Sequence, residues 1–446
     1  MDNILDPVEN FAIGTVASGY DASAINIALN TGDGAKFPSP SSQGSFDVIW
    51  YNSTDYPNAS DDPLKEIVTV SSKSSDTLTI IRAQQGTSAV AHNILGKTYK
   101  MFLSITKKTI DILERNIKNQ HGMSRQAIMN GGFNIVQRQG VLPSITLGDG
   151  LVKYQSDRWL DYHSKDGGTL PTLTRSNLPL NSGELPHLSR FTRLTSNGAG
   201  TALGVNAIGV LEQHIEFGTQ FLCGDNKKVT VSFWARSSIV GKRICPTIRQ
   251  FYGSGGLATP FETIKGTPIT LTTTWTRYVA TFTTNTLTGK VFGTTSADFL
   301  SLLFWHVWGT TSGNDNVQTG VTAESYGGAG TVDITGVQLC AGDTALPYNP
   351  PTFSEDLANC ERYYEYLTYN KLEYVVTGGY MQVSIPFKTR KRVGNPAVIH
   401  IDSYSSNITG KTVPWTLNDQ QISFYAVGSA TGNAEWDGAF EINAEI

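Results

Sequence analysis

Val229-Thr230-Val231-Ser232-Phe233-Trp234-Ala235-Arg236 is the stretch on which the reading of the fold turns. Val229, Val231, Phe233 and Ala235 fall on one face of an extended chain, and Thr230, Ser232, Trp234 and Arg236 on the other. That period of two, in β-branched and aromatic residues, predicts a strand with one face in a core and one outside it. Working outward, strands are predicted at 244–252, 275–283, 299–308 and 331–339, with turn residues between each pair. A two-sheet sandwich follows. The segment 299–308 is apolar on both faces, so it is predicted to be a central strand. Val332 and Ile334 fall out of phase with Val337 and Leu339 across Gly336, which predicts a bulge. No repeat of 20 to 50 residues is present, which argues against a solenoid.

The rest of the chain also reads as all-β, with two helical interruptions. Residues 1–102 form an N-terminal β domain in which 66–70 and 77–81 flank a polar loop suited to a hairpin. In 103–122 the period changes to about 3.5: Leu103, Thr106, Ile110, Leu113, Ile117 and Gln120 lie on one stripe, ringed by charged residues. This predicts a short coiled-coil-like linker in which Leu103, Ile110, Leu113 and Ile117 form an oligomer seam; packing on a neighbouring domain is the other way to bury that stripe. The jelly-roll sandwich is assigned to 123–351. A helix is assigned to 352–369, with Ser354 as its N-cap, Glu355 and Asp356 in the first turn, and a face running through Leu357, Cys360, Tyr364 and Leu367. A small C-terminal β domain with strands at 380–387, 397–404 and 422–427 occupies 370–446.

Composition narrows the function. The chain has 446 residues, 34 Lys and Arg against 38 Asp and Glu, and a net charge of −4, which argues against nucleic acid as a partner. Only 16% of residues are charged and 39% are apolar, so several cores can be buried and disorder through excess charge is excluded. The longest mostly apolar run, 299–308, is far below the ~20 residues of a membrane-spanning helix, and the N-terminus reads as neither a secretory nor a transit signal. Cys223, Cys245, Cys340 and Cys360 lack paired spacing and read as reduced core residues.

No motif for catalysis appears, and no cofactor is expected. The seven histidines are isolated, without spacing for a shared metal. Gly253-Ser254-Gly255-Gly256 lacks the lysine of a phosphate loop. Asp55, Asp61 and Asp62 read as a solvated loop rather than a calcium site. Asp149, Asp157, Asp161 and Asp166 cluster in sequence, which leaves a glycosidase pair formed by folding as an outside reading. A surface rich in aromatics and neutral polar groups suits sugar recognition, with Trp234, Tyr252, Trp305 and Trp308 as candidate ligand residues. Trp275 is a further candidate, although a tryptophan on a sandwich strand usually belongs to the core. Arg236 and Arg249 read as ion-paired residues at a sheet surface. Asp157-Arg158-Trp159 reads as a charged pair beside a core tryptophan, with a sugar pocket as the competing reading.

Several stretches resemble bacteriophage virion proteins. Arg82-Ala83-Gln84-Gln85-Gly86-Thr87 followed by His92 is similar to an N-terminal module of such proteins. Asn130-Gly131-Gly132-Phe133-Asn134-Ile135, Ser156-Asp157-Arg158-Trp159, Gln213-His214-Ile215-Glu216, the Val229 to Arg236 strand and Asp333-Ile334-Thr335-Gly336-Val337-Gln338 resemble, in the same order, the carbohydrate-binding-module-like jelly roll of phage tail fibres. The 355–365 segment resembles the helix C-terminal to that jelly roll, and Ile385-Pro386-Phe387 the small β domain at the end of such fibres. The resemblance implies a non-enzymatic tail fibre or receptor-binding protein of the virion. It implies a homotrimer attached to other virion proteins by its N-terminus, adhering to bacterial surface polysaccharide without membrane insertion. A purely structural neck, baseplate or capsid appendage is the alternative, and a polysaccharide depolymerase the third reading. If the 103–122 stripe is the seam, replacing Ile110, Leu113 and Ile117 together by Asp lowers the assembled mass in sedimentation or mass photometry; unchanged mass assigns assembly to the β domains.

Overall fold

The computed structural model describes residues 7, 9–110, 125–138, 144–185, 187–295 and 297–445. The chain divides into two compact units, Met1–Gln120 and His121–Ile446.

The first unit is built on six antiparallel strands: β1 (Ile13–Thr15), β2 (Asn26–Ala28), β3 (Phe46–Asn52), β4 (Glu66–Ser74), β5 (Thr77–Ile81) and β6 (Tyr99–Leu103), in the order β1-β6-β3-β4-β5-β2. The predicted hairpin is β4–β5. Phe46, Val48, Trp50, Val68, Val70, Leu78 and Met101 form the core. The Arg82 motif is wrapped around one buried acid. Arg82 Nε donates to Glu66 Oε1 at 2.8 Å, the Ala83 N–H donates to the same oxygen at 2.8 Å, and the His92 ring stacks on Trp50 at 4.1 Å. Burial pushes the Glu66 carboxyl up, but Arg82 and these donors outweigh it and hold the carboxyl at about 2. Asp62 accepts the Asn52 and Leu64 N–H groups at 2.8 Å each, and Asp55 pairs with Lys97, so two acids of the 53–63 loop are committed to its turns.

The linker begins later than its periodicity predicts. Leu103 ends strand β6 opposite Val48, and its N–H donates to the Ala12 carbonyl at 2.9 Å. A residue whose backbone completes a sheet cannot also open a helix, so Leu103 is a strand residue and not the start of a seam. Helical backbone appears at 107–110, where Ile110 is exposed. Leu113 and Ile117 lie outside the described residues. Leu103 also lines, with Phe11, Ile13, Tyr51 and Phe102, an apolar groove of about 700 Å³.

The second unit opens with a sandwich. Its strands are β7 (Ser144–Leu147), β8 (Val152–Tyr154), β9 (Leu160–Ser164), β10 (Leu173–Pro179), β11 (Arg190–Gly198), β12 (Ile208–Glu216), β13 (Lys228–Ser237), β14 (Arg243–Phe251), β15 (Glu262–Ile264), β16 (Ile269–Thr270), β17 (Thr276–Thr283), β18 (Phe299–Trp308) and β19 (Gly328–Ala341). One sheet runs β17-β13-β19-β11-β10-β7 and the other β15-β14-β18-β12-β9-β8, a jelly-roll-like all-β arrangement. Val229, Val231, Phe233 and Ala235 face Leu300, Leu302 and Phe304 in the shared core, as the alternation predicts. Strand β18 lies inside its sheet between β14 and β12. The bulge is also present: Ser232 pairs with Gln338 and Trp234 with Thr335, so Gly336 and Val337 together oppose Phe233. Gly336 has φ +60°, and a Cβ there would meet Leu188 at 2.9 Å, so both backbone and space select glycine.

The C-terminal helix is Phe353–Glu361, shorter than the assigned 352–369 and starting two residues earlier than a Ser354 cap would place it. Thr352, not Ser354, is the N-cap: its N–H donates to Glu355 Oε2 at 2.9 Å in a capping box. The helix ends at Glu361, and Tyr364 and Leu367 belong to a strand. That strand, β20 (Tyr364–Val375), is followed by β21 (Tyr380–Pro386), β22 (Ala397–Ser406), β23 (Ile408–Leu417), β24 (Gln421–Gly428) and β25 (Gly432–Asn443). These form two three-stranded sheets, β20-β25-β22 and β21-β24-β23, around Trp436, Phe424 and Phe440. Leu367 is drawn into this core, which explains why helical spacing lost to strand pairing there.

Between the sandwich sheets lies a polar cluster. Arg175 Nε donates to both Asp161 oxygens at 3.0 Å, His163 Nδ1 and the Tyr326 hydroxyl are 2.7 Å apart, and the His163 and His306 rings are 5.1 Å apart. Burial pushes both histidines below the usual imidazole value, with Asp161 pulling His163 partly back. The unfolded chain takes up these protons near about pH 6.5 while the folded chain resists them. Stability is therefore complete above that pH and falls below it, by at most about 1.4 kcal/mol per pH unit for each histidine. Thermal unfolding of this unit is expected to shift down between pH 7 and pH 5, and His306→Leu to make that shift smaller; an equal shift in the variant contradicts the assignment.

Candidate functional site

Alternation along β18 sends Leu300, Leu302 and Phe304 inward, so Phe299, Ser301, Leu303 and Trp305 stand on the outer face of the second sheet. Strand register then assembles rows across β12, β18 and β14. Glu216, Phe299 and Phe251 form one row; His214, Ser301 and Arg249 the next; then Glu212, Leu303 and Thr247; then Val210, Trp305 and Cys245. The last row is roofed. The helix Thr310–Asn316 and the loop after it bring Val317 and Val321 onto Trp305 and Trp308. Trp305 Nε1 donates to Thr247 Oγ1 at 3.0 Å and Trp308 Nε1 to the Thr322 carbonyl at 3.0 Å, so both indoles are satisfied as well as buried. At the opposite end, Glu216 accepts from Arg362 Nη2 at 3.0 Å and from the Tyr363 hydroxyl at 2.7 Å.

In the rows between these two ends Phe251, Phe299, His214 and Arg249 are half-buried, and Ser301, Leu303, Thr247 and Glu212 are buried beneath them. The Phe251 and Phe299 rings stack at 4.5 Å, and Phe299 stacks on His214 at 4.2 Å, giving a rigid file of three rings across three strands. Glu212 Oε1 lies 3.0 Å from His214 Nε2. Burial pushes the Glu212 carboxyl up, and the adjoining His214 ring outweighs that, leaving it below the usual carboxylate range. The buried Ser301 hydroxyl adjoins the Glu212 carboxylate and favours its charged form. Arg249 rests over the exposed Phe261 ring at 4.6 Å and makes only long bonds, 3.4 Å to Thr263 Oγ1 and 3.3 Å to Asn316 Oδ1. Burial lowers the Arg249 pKa from its ordinary value, with the field of Glu212 opposing. Rings, a carboxylate, an imidazole and a guanidinium on one stiff sheet can grip a polyhydroxylated ligand by apolar contact and directed hydrogen bonds.

The four sequence candidates do not meet at this site. Trp305 and Trp308 are on the right face but under its roof, and Tyr252 is buried at the end of β14, bonded to Glu262 and Gln250. Burial removes these three as ligand platforms. Trp234 is half-buried on the outer face of the other sheet. Arg236 is ion-paired as expected, to Asp333 at 2.9 Å and Glu184 at 2.7 Å, beneath Trp275. Arg249 departs from that expectation, because no carboxylate pairs with it among the described residues. His214, Glu212, Ser301, Phe299 and Phe251 were not singled out as ligand residues. The signal was present in Glu212-Gln213-His214-Ile215-Glu216, whose alternation puts three polar residues on one face and sends Gln213 and Ile215 to the core side.

The charged candidates are structural. Trp159 is buried in the core and donates to the Asn130 carbonyl at 3.0 Å. Asp157 does not pair with Arg158; it accepts the Gln137 N–H at 3.0 Å, while Arg158 turns to Glu445, lies 3.5 Å from the Tyr363 ring centre and donates to the His214 carbonyl at 2.5 Å. Asp161 is committed to Arg175, and Asp149 and Asp166 accept the Lys165 and Asn206 N–H groups at 2.9 and 2.7 Å. No group of three or more metal-binding side chains occurs among the described residues. All four cysteines are buried and unbridged.

No protein-family model matches the sequence. No curated protein matches it either. In structure the chain is similar to the family 11 carbohydrate-binding module of Clostridium thermocellum, solved with a β-1,3-1,4-mixed-linked tetrasaccharide: identity 12%, TM-score 0.25, covering 46% of this chain and 99% of that one. It is also similar to the N-terminal cellulose-binding domain of Cellulomonas fimi β-1,4-glucanase C, at 14% identity, TM-score 0.24 and coverage of 42% and 90%. A third similarity is to the CBM22-1 xylan-binding domain of Paenibacillus barcinonensis Xyn10C, at 11% identity, TM-score 0.21 and coverage of 45% and 99%.

The roof and the open rows separate by mutation. Trp305→Ala is expected to destabilise the second unit by about 3–5 kcal/mol, the usual cost of deleting a buried aromatic, whereas Phe299→Ala and Arg249→Gln are expected to cost less than about 1.5 kcal/mol. Calorimetry of the three variants checks this; a harmless Trp305→Ala contradicts the roof.

Proposed function

We propose that this protein is a non-enzymatic adhesin of a bacteriophage virion, which holds bacterial surface polysaccharide on the open rows of the second sandwich sheet. The observation that carries the reading is the continuous row system of His214, Phe299, Phe251, Glu212, Ser301 and Arg249 on a sheet stiffened from both sides. Half-buried rings beside polar groups suit the apolar faces and hydroxyls of a sugar chain.

The N-terminal unit is the particle-attachment end in this reading, and the resemblance of the Arg82-Ala83-Gln84-Gln85 motif to a virion module supports it. The protein works as a homotrimer beside other tail proteins. Three shallow sites engaging one surface together raise the apparent affinity by ~10²-fold or more over a single site.

The test is binding of the full chain to an array of bacterial surface polysaccharides and to whole cells. Phe299→Ala and His214→Ala are each expected to weaken retention at least tenfold, while both variants stay folded at the assay temperature with unfolding midpoints within a few degrees of the parent. Trp234→Ala is expected to leave binding intact. Loss of binding in Trp234→Ala alone would move the site to the other sheet, and release of new reducing ends from the bound polymer would overturn the non-enzymatic reading.

A further inference from the structure

Arg249 has no directly paired acid among the described residues, although the field of Glu212 reaches it. Other arginines of the sandwich are matched to acids. Arg175 holds Asp161, Arg193 grips Asp333 at 2.7 and 2.8 Å, Arg236 bridges Asp333 and Glu184, and Arg243 meets Glu324 at 2.6 Å. Arg190 and Arg277 have no acid, but each donates to a backbone carbonyl, of Asn177 at 3.3 Å and Leu346 at 2.7 Å. Arg249 has neither. Its two long bonds go to neutral oxygens, of Thr263 and Asn316, and its Nη1 makes no hydrogen bond among the described residues.

A stacked pair of half-buried rings, Phe251 and Phe299, lies one row away on the same face, so the guanidinium sits beside an apolar platform. Glu212, the acid of the adjoining row, is held by His214, and β18 stands between β12 and β14, a backbone separation of about 10 Å. The planar guanidinium fork matches a carboxylate, and partial desolvation of both groups strengthens the pair. A single guanidinium beside the Thr263 hydroxyl suits one negative charge. The acids Glu212 and Glu216 on β12 disfavour a doubly charged phosphate.

We propose that the polysaccharide held by the open rows carries a sugar carboxylate, as in a uronic acid, bound by the Arg249 guanidinium while the sugar ring lies along the Phe251–Phe299 file. This rests on the adhesive reading of the same rows and adds its ligand class. The chain's overall charge of −4 makes unspecific attraction to a polyanion a poor substitute for such a contact.

The test measures binding of the full chain to immobilised polygalacturonate, alginate and hyaluronan, and to the carboxyl-reduced form of each, with dextran sulfate as a polyanion control. At least one acidic polymer is expected to bind, and carboxyl reduction to weaken it tenfold or more. Arg249→Gln is expected to lose the same factor on the acidic polymer and nothing further on its reduced form, and Arg249→Lys to lose less. All variants should keep the parent unfolding temperature. If the reduced polymers bind as tightly as the acidic ones, the carboxylate inference is wrong while the adhesive reading stands. If Arg249→Gln weakens dextran sulfate as much as the uronate polymer, the contact is a general anion site and the inference is overturned. If no bacterial polysaccharide and no probe of either kind binds, both fall.

Discussion

A strand that is apolar on both sides must be covered twice, and β18 imposes that constraint on the second unit. Its inner side chains close the core against β13 and β19, and its outer side chains, Leu303, Trp305 and Trp308, demand a second cover. The helix Thr310–Asn316 supplies it over one end of the sheet only. Beyond the roof the same strand offers Ser301 and Phe299, and the face changes from apolar packing to rings interleaved with charges. Core and site thus lie on the two sides of one strand, so the site inherits the stiffness of the core.

The other end of the open face is fixed by the C-terminal domain. Arg158, held in a left-handed backbone conformation at φ +71°, reaches Glu445 and Tyr363 and also the backbone carbonyl of His214. Arg362 and Tyr363 secure Glu216 on the same strand. The groups that dock the last domain therefore also set where β12 presents His214 and Glu212. The docking is charged and buried, which makes it costly to break by removing one partner.

Much of this fold was legible in the sequence because local alternation controls it. The faces of β13, the inner position of β18 and the bulge at Gly336 all follow from period two and its interruption. The features that were not legible depend on partners distant in the chain. Leu103 fits a helical stripe, yet pairing with Val48 makes it a strand end. Tyr364 and Leu367 continue a helical face, yet the C-terminal core takes Leu367. The site failed for the same reason. Sequence shows which residues share a face of one strand, but only register shows that His214, Ser301 and Arg249 share a row, and only the roof explains why Trp305 and Trp308 are not part of the surface. The preference for tryptophan as a sugar platform led to the covered half of the proposed face. The pairing expected for Arg249 failed because register places no acid at salt-bridge distance from it among the described residues, and Glu212 acts on it only through its field.

Hydrogen–deuterium exchange of the full chain, with and without a bound polysaccharide fragment, tests the central claim most directly. The account predicts new protection concentrated in β12, β14 and β18 around His214, Arg249 and Ser301, with the first sheet unchanged. Protection confined to the Trp234 and Trp275 face, or to the N-terminal unit, would contradict it.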